Sequence, residues 1–238
     1  MMEASYNEDL KAVLAHIRET IGASPNWTEW PGGWRDDIES ALLDAVFSAR
    51  AVYRSKHGRG VHSLVVTWQQ KRTRTRFTLS ALSAEIDAVG PEAWAEAFGS
   101  MQWSPSRHPD SPGGPTKAAA VREAAVALVQ TNIMSARDIN TENAERVKTV
   151  LRGVDGIGYA TSNYFLMLLG APGVKPDRMI HRFLRDATGR QLSNKYADQV
   201  LTAAAEELRT EPHRLEHAIW WYESDKAQRR RATSRLDR

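Results

Sequence analysis

The sequence contains no cysteine. That excludes disulfides, thiolate zinc sites and cysteine-ligated iron–sulfur clusters, and it fits a reducing cytoplasm. No apolar run approaches the roughly 18 residues that a membrane span requires, so no membrane partner is expected. The first residues, MMEASYNEDLKAVL, carry acids early and have no apolar segment, so they do not read as a secretory signal. A large excess of either charge is missing too: 32 Lys and Arg against 29 Asp and Glu leave +3 at pH 7. The bases are unevenly spread, however. KRTRTR at 71–76 and KAQRRRATSRLDR at 226–238 are local clusters of the kind that attract a polyanion. The plain alternative for the second is a disordered, solvated tail.

What is present is a globular chain. Its 238 residues, 42% of them hydrophobic, suffice for one large domain or two small ones. Apolar residues recur at helical spacing: Leu10, Val13, Leu14, Ile17 and Ile21; then Ile38, Leu42, Ala45, Val46, Ala49 and Tyr53; then Val61, Leu64, Val65 and Trp68. The run VVTW would suit a strand, but no second strand is available to pair with it. Pro91 opens a short helix. Residues 117–130, 142–151, 158–169, 178–187, 194–209 and 212–223 complete about ten helices. Two proline- and glycine-containing loops interrupt them, WTEWPGGWRDD at 27–37 and WSPSRHPDSPGGP at 103–115. The expected class is all-α. Trp27, Trp30 and Trp34 read as a packing loop rather than a base-stacking platform.

Residues 151–164 read LRGVDGIGYATSNY. A dinucleotide fingerprint would need GxGxxG directly after a strand. Here Thr161 stands at the third glycine position and the preceding residues are helical, so that reading fails. Helix, two-glycine turn, helix remains. The N–H groups at the start of the second helix, with the helix dipole behind them, can hold an anion, and glycine lets a phosphate approach closely. Such a helix–hairpin–helix grips a nucleic-acid phosphate without reading sequence; an ordinary αα-turn with a glycine cap is the alternative. Downstream, GAPGVKPDRMIHRFL at 170–184 places Asp177 before a helix with an inner face of Met179, Ile180, Phe183 and Leu184. On its own Asp177 is an N-cap. One helix and one short loop separate it from the hairpin, so it is expected to fold back beside the hairpin helix, amid Lys175, Arg178 and Arg182.

The block GIGYATSNYF…KPDRMIHRF resembles the signature of the helix–hairpin–helix DNA glycosylase superfamily. Thr161, Asn163, Tyr164 and Phe165 match a run found in its alkylpurine glycosylase branch. The resemblance covers about thirty residues, with looser matches over 41–53 and 117–130. It implies two helical subdomains with a cleft between them: 41–172 holding the hairpin, and 1–40 with 173–238, whose residues 226–238 form the basic tail. It implies Asp177 as the catalytic aspartate, and Gly156, Ile157, Gly158 and Thr161 as the phosphate-binding hairpin. Lys175, Arg178 and Arg182 would contact DNA. Members often hold a K⁺ or Na⁺ ion through hairpin carbonyls; no other cofactor and no metal held by side chains is implied.

The departures from the family are informative. Bifunctional members carry a lysine where this chain has Ala160, so the resemblance implies a monofunctional glycosylase without lyase activity. The iron–sulfur loop of many members is absent. A base buried in a duplex must be flipped out to be reached. Asp177 would then stabilise the oxocarbenium-like sugar and orient or deprotonate water. Ser48, Arg50, Tyr53, Trp103 and Tyr159 are candidates for the base pocket, each with an ordinary core role as its alternative. His213, Glu216 and His217 do not form the zinc motif HExxH, because the glutamate precedes the second histidine instead of following the first. The expected substrate is an alkylated base or a bulky modified cytosine of foreign DNA. The expected enzyme is a cytoplasmic monomer acting on double-stranded DNA in repair or defence. A non-catalytic helix–hairpin–helix DNA-binding module is the alternative, and a helical scaffold for a protein partner is a third reading.

Overall fold

A computed structural model of the chain describes the backbone of residues 2–27, 30, 32–49, 51, 60–96 and 113–236, and within these the side chains of residues 5–226. The regular structure of the described residues is helical, with eleven α-helices, two short 3-10 turns and no strand. The segment holding VVTW is helix, as the lack of a pairing partner predicts. The chain divides into two units, Gly32–Ala171 and Met1–Pro31 joined with Pro172–Arg238. The boundary falls before residue 40 because the helix beginning at Ile38 packs as part of the larger unit.

In the larger unit, helix α2 (Ile38–Phe47) is the centre: all ten of its residues are buried. Asp37 starts it, accepting a hydrogen bond from Ser40 N (3.1 Å). Around α2 pack α3 (Val61–Lys71), α4 (Leu79–Val89), α6 (Lys117–Gln130) and α8 (Tyr159–Leu168), with the short α5 (Pro91–Glu96) against α4 and α6 and α7 (Ala144–Arg152) against α6 and α8. Phe47, Trp68, Leu82, Ile86, Leu128 and Phe165 fill the interior. Alanines 118, 120, 124 and 125 are buried on α6, and their small side chains admit its neighbours closely. Helix α4 is an element the spacing analysis passes over. Thr78 caps it through Ala81 N (3.3 Å), and Leu79, Leu82 and Ile86 form its stripe.

Two of the four basic residues of the run 71–76 turn inward. Arg72 pairs with Asp37 (2.5 Å) and Glu39 (3.3 Å), and Arg74 with Glu39 (2.5 Å) and Glu85 (2.8 Å). Gln69 donates to Asp37 (3.0 Å), and the Arg72 guanidinium lies over Phe77, 3.4 Å from the ring centre. Burial pushes the Asp37 carboxyl up, but hydrogen bonds from Arg72, Ser40 and Gln69 outweigh it and hold it below the ordinary value. For the fully buried Glu39, burial wins over Arg74 and the carboxyl is held above it. Two guanidiniums expected to attract a polyanion are therefore occupied within the fold, while Lys71 and Arg76 are exposed.

The smaller unit joins both ends of the chain. Helix α1 (Met2–Thr20) packs against α9 (Arg178–Thr188) and α10 (Asn194–Glu207), and α11 (Pro212–Leu236) packs against α9 and α10. Its core includes Val13, Ile17, Phe183, Leu201, Leu215 and Ile219. Tyr196 donates its hydroxyl to Asp9 (2.8 Å), which also pairs with Arg190. The backbone of α11 continues as helix through the basic segment to Leu236, where a disordered tail was the alternative reading.

Candidate functional site

The hairpin lies in the larger unit. Helix α7 stops at Arg152, where Gly153 N closes on Thr149 O (3.2 Å) and Val154 N on Leu151 O (3.1 Å). Ile157 N returns to Val154 O (3.0 Å), and the Ile157 side chain is buried, which anchors the turn. The two glycines differ in why they are glycine. Gly156 has φ +85°, a left-handed conformation that a Cβ would strain. Gly158 has an ordinary φ of −98°, and a Cβ built on it would meet nothing within 4 Å. Neither backbone strain nor packing requires a glycine there.

Gly158 is also the N-cap of α8 and offers no side chain to cap it. The first N–H of α8 to find its helical partner is that of Ser162, bonded to Gly158 O (3.1 Å). The preceding N–H groups lie at the helix end, where an anion is favoured. Arg152 lies over the Tyr159 ring (5.5 Å) beside this end. Thr161 is buried in the first turn, so its side chain belongs to the packing of α8 rather than to the exposed end. Ala160 is partly buried. On the phosphate-binding expectation, a valine at position 158 leaves the fold intact and weakens duplex binding about equally on every sequence, since phosphate contacts carry no sequence information. Titrations of Gly158→Val at two salt concentrations check this; binding as tight as the parent's removes the hairpin from the interface.

Of the remaining candidates in this unit, Ser48 ends α2 and donates to Ala45 O (3.0 Å). Arg50, Tyr53 and Trp103 lie outside the described residues. The sequence reading missed Lys117, a buried amine whose pKa burial pushes down to about 8. Its Nζ donates to Phe47 O (3.2 Å) and Ala49 O (2.9 Å), placing a cation on the carboxyl end of α2. Trp34 donates to Asp44 (2.9 Å) and stacks on His62, a packing role as expected.

Asp177 lies in the smaller unit and caps α9. Its Oδ1 accepts from Met179 N (2.7 Å) and Ile180 N (3.2 Å). Oδ2 takes no part in the cap. Lys175 is partly buried and Arg178 is exposed. Arg182 is committed elsewhere: Nε donates to Glu223 Oε2 and Nη2 to Glu223 O (2.8 Å) and the Met179 sulfur (3.2 Å). It is a fastening of α9 to α11 rather than a surface cation.

Beside this cap lies a group the sequence reading set aside. Glu216 on α11 is buried, and its carboxyl is pushed up to about 8, first by burial and then by the charge of Asp177, with Lys175 partly opposing. His213 packs on Trp30 (5.1 Å between ring centres), and His217 stacks on Trp220 (6.0 Å). Among the described residues no group of three His, Asp or Glu side chains could hold a metal. Trp27 is buried and donates to Gly22 O (3.2 Å).

The described molecule is an all-helical protein with a two-glycine helix–turn–helix in one unit and an aspartate-capped helix in the other. The chain belongs to the family described as a domain of unknown function (DUF8548), whose model matches residues 11–224. That span runs from α1 through the hairpin and Asp177 to Glu216 and Glu223. No curated protein matches the chain. No helix among the described residues is long and apolar enough to cross a membrane.

Proposed function

We propose that the protein is a monofunctional DNA glycosylase that hydrolyses the N-glycosidic bond of a flipped-out damaged or modified base. Gly158 carries the reading: it is a glycine that neither φ nor packing requires, at the uncapped start of a helix, inside the block that resembles the glycosylase hairpin. A phosphate that must come within contact distance of backbone N–H groups is a reason to keep a hydrogen there. Asp177 supplies the charge. Its cap uses Oδ1, which fixes the carboxylate, and Oδ2 is the oxygen for stabilising a positive sugar and taking a proton from water.

The partner is double-stranded DNA, held through its phosphates, and the enzyme acts as a cytoplasmic monomer. The only cofactor proposed is a K⁺ or Na⁺ ion on hairpin carbonyls. Candidate substrates are an alkylated base or a bulky modified cytosine of foreign DNA.

The test is release of base from a panel of duplexes with alkylated, deaminated and naturally modified bases. The expected product is an intact abasic site, with strand breakage only after alkali, because Ala160 offers no amine for a Schiff base. Borohydride should trap no covalent adduct. A trapped adduct overturns the monofunctional assignment. A parent that binds duplex and releases no base from any member is instead a DNA-binding module.

A further inference from the structure

Helices α9 and α11 run in the same direction and in register. Glu223 pairs with Arg182, 41 positions earlier, and Lys226 with Asp186, 40 positions earlier (2.7 Å). About two helical turns back along this register, Glu216 comes opposite the segment from Lys175 to Asp177 that leads into α9. The two glutamates share the inner face of α11 but not the same fate. Glu223 is fully buried and held by Arg182 and Lys226. Glu216 is 6% exposed, and among the described residues no ion pair or hydrogen bond reaches its carboxyl. A carboxyl taken out of water without a partner keeps its proton.

We propose that Glu216 acts as a general acid near Asp177, that it gives its proton to the departing base, and that the substrates are bases neutral in DNA rather than cationic alkylpurines. The proposal rests on the glycosylase reading. As the C1′–N bond breaks, its electron pair goes to the base, and the base takes the Glu216 proton. The water oxygen bonds to C1′, and the proton water loses goes to Asp177. Asp177 then gives its proton to solvent and Glu216 takes one up, so the net change is water added across the C1′–N bond. A cationic base leaves as a neutral molecule and needs no proton, so a buried acid beside the nucleophile's base is of use only for neutral ones.

The charged groups that bear on Glu216 are Asp177, which disfavours its ionisation, and Lys175, which favours it. Arg182 of α9 is held by Glu223, and α10 turns Ala197, Val200, Leu201 and Ala204 inward. On α11 itself, His213 and His217 pack on Trp30 and Trp220.

The experiment compares the parent, Glu216→Gln and Asp177→Asn in single turnovers. One duplex set carries cationic 7-methylguanine or 3-methyladenine. The other carries neutral hypoxanthine, uracil or 5-hydroxymethylcytosine. The parent should release a neutral base, with a rate that falls as pH rises through about 8. Glu216→Gln should lose that activity about 100-fold and lose the alkaline fall, a loss at least about tenfold larger than any on cationic bases.

Gln matches the shape of a neutral carboxyl, so the variant folds. The raised carboxyl makes the parent lose stability as pH climbs from the ordinary carboxylate range towards 8, and Gln does not titrate. The melting temperature of the variant should therefore gain on the parent across that window. Carboxyl ¹³C NMR should show Glu216 protonated at pH 7 and losing its proton at lower pH in Asp177→Asn. Equal release of neutral bases by parent and Glu216→Gln, release of cationic bases only, or a Glu216 ionised at pH 7 overturns the general-acid role while leaving the glycosylase reading in place. A parent that releases no base at all overturns that reading, and the general-acid role with it.

Discussion

Asp177→Asn is expected to slow base release by about 10³-fold while duplex affinity stays within about twofold of the parent's. The two effects separate because the proposed mechanism adds a second task to the cap. As a cap, Asp177 accepts N–H groups of Met179 and Ile180 through Oδ1. An Asn carbonyl accepts the same two, so α9 starts where it did. As a charge, Asp177 has no substitute in Asn, and both sugar stabilisation and proton uptake go. Asp177→Ala makes the useful comparison, since it also removes the cap at a cost of about 1 kcal/mol. Melting should distinguish Ala from Asn, whereas excision should not. Undiminished excision by Asp177→Asn would remove the residue from the mechanism.

Arg72→Met should cost about 3–5 kcal/mol, seen as a fall of roughly 10 °C or more in melting temperature. Arg72 is 7% exposed and sits between Asp37 at 14% and the fully buried Glu39. Methionine keeps much of the packing on Trp68 and Phe77 but leaves the two carboxylates without that guanidinium. Arg122→Met is the control. Its partner Asp87 is half exposed, and such surface pairs contribute about 0–1 kcal/mol. Chemical denaturation of both variants decides the matter: equal losses would mean that the inner ion network carries no more stability than a surface pair.

That network also shows where sequence reasoning stops. Helical spacing is a local signal, and it locates α3, α6 and α8 to α10 within a few residues; the stripe from Ile38 was read on to Tyr53, past the end of α2 at Phe47. The pairing of Arg72 and Arg74 with Asp37 and Glu39 is not local: 35 positions separate each pair, so 71–76 read as a cluster for a polyanion. Helix α4 was passed over too; its Thr78 cap lies two positions past that run. The two-glycine turn between α7 and α8 was legible because such a turn needs only neighbouring residues. Its inner division was not, since only a backbone angle and the space before Gly158 show that Gly156 serves the turn and Gly158 does not. Asp177 was legible as a cap. Glu216 was not, because its burial follows from the register of α9 against α11.

The smaller unit is assembled from the two ends of the chain, and this has a consequence for synthesis. Helix α1 emerges from the ribosome with Val13, Leu14 and Ile17 on one side, and the helices that cover them start at Arg178. Translation at about 5–20 residues per second puts those partners on the order of ten to thirty seconds behind. By the end of that interval the larger unit has all of its own helices and can fold. The apolar side of α1 waits, a binding site for chaperones whose lifetime is set by the length of the unit inserted between the two halves.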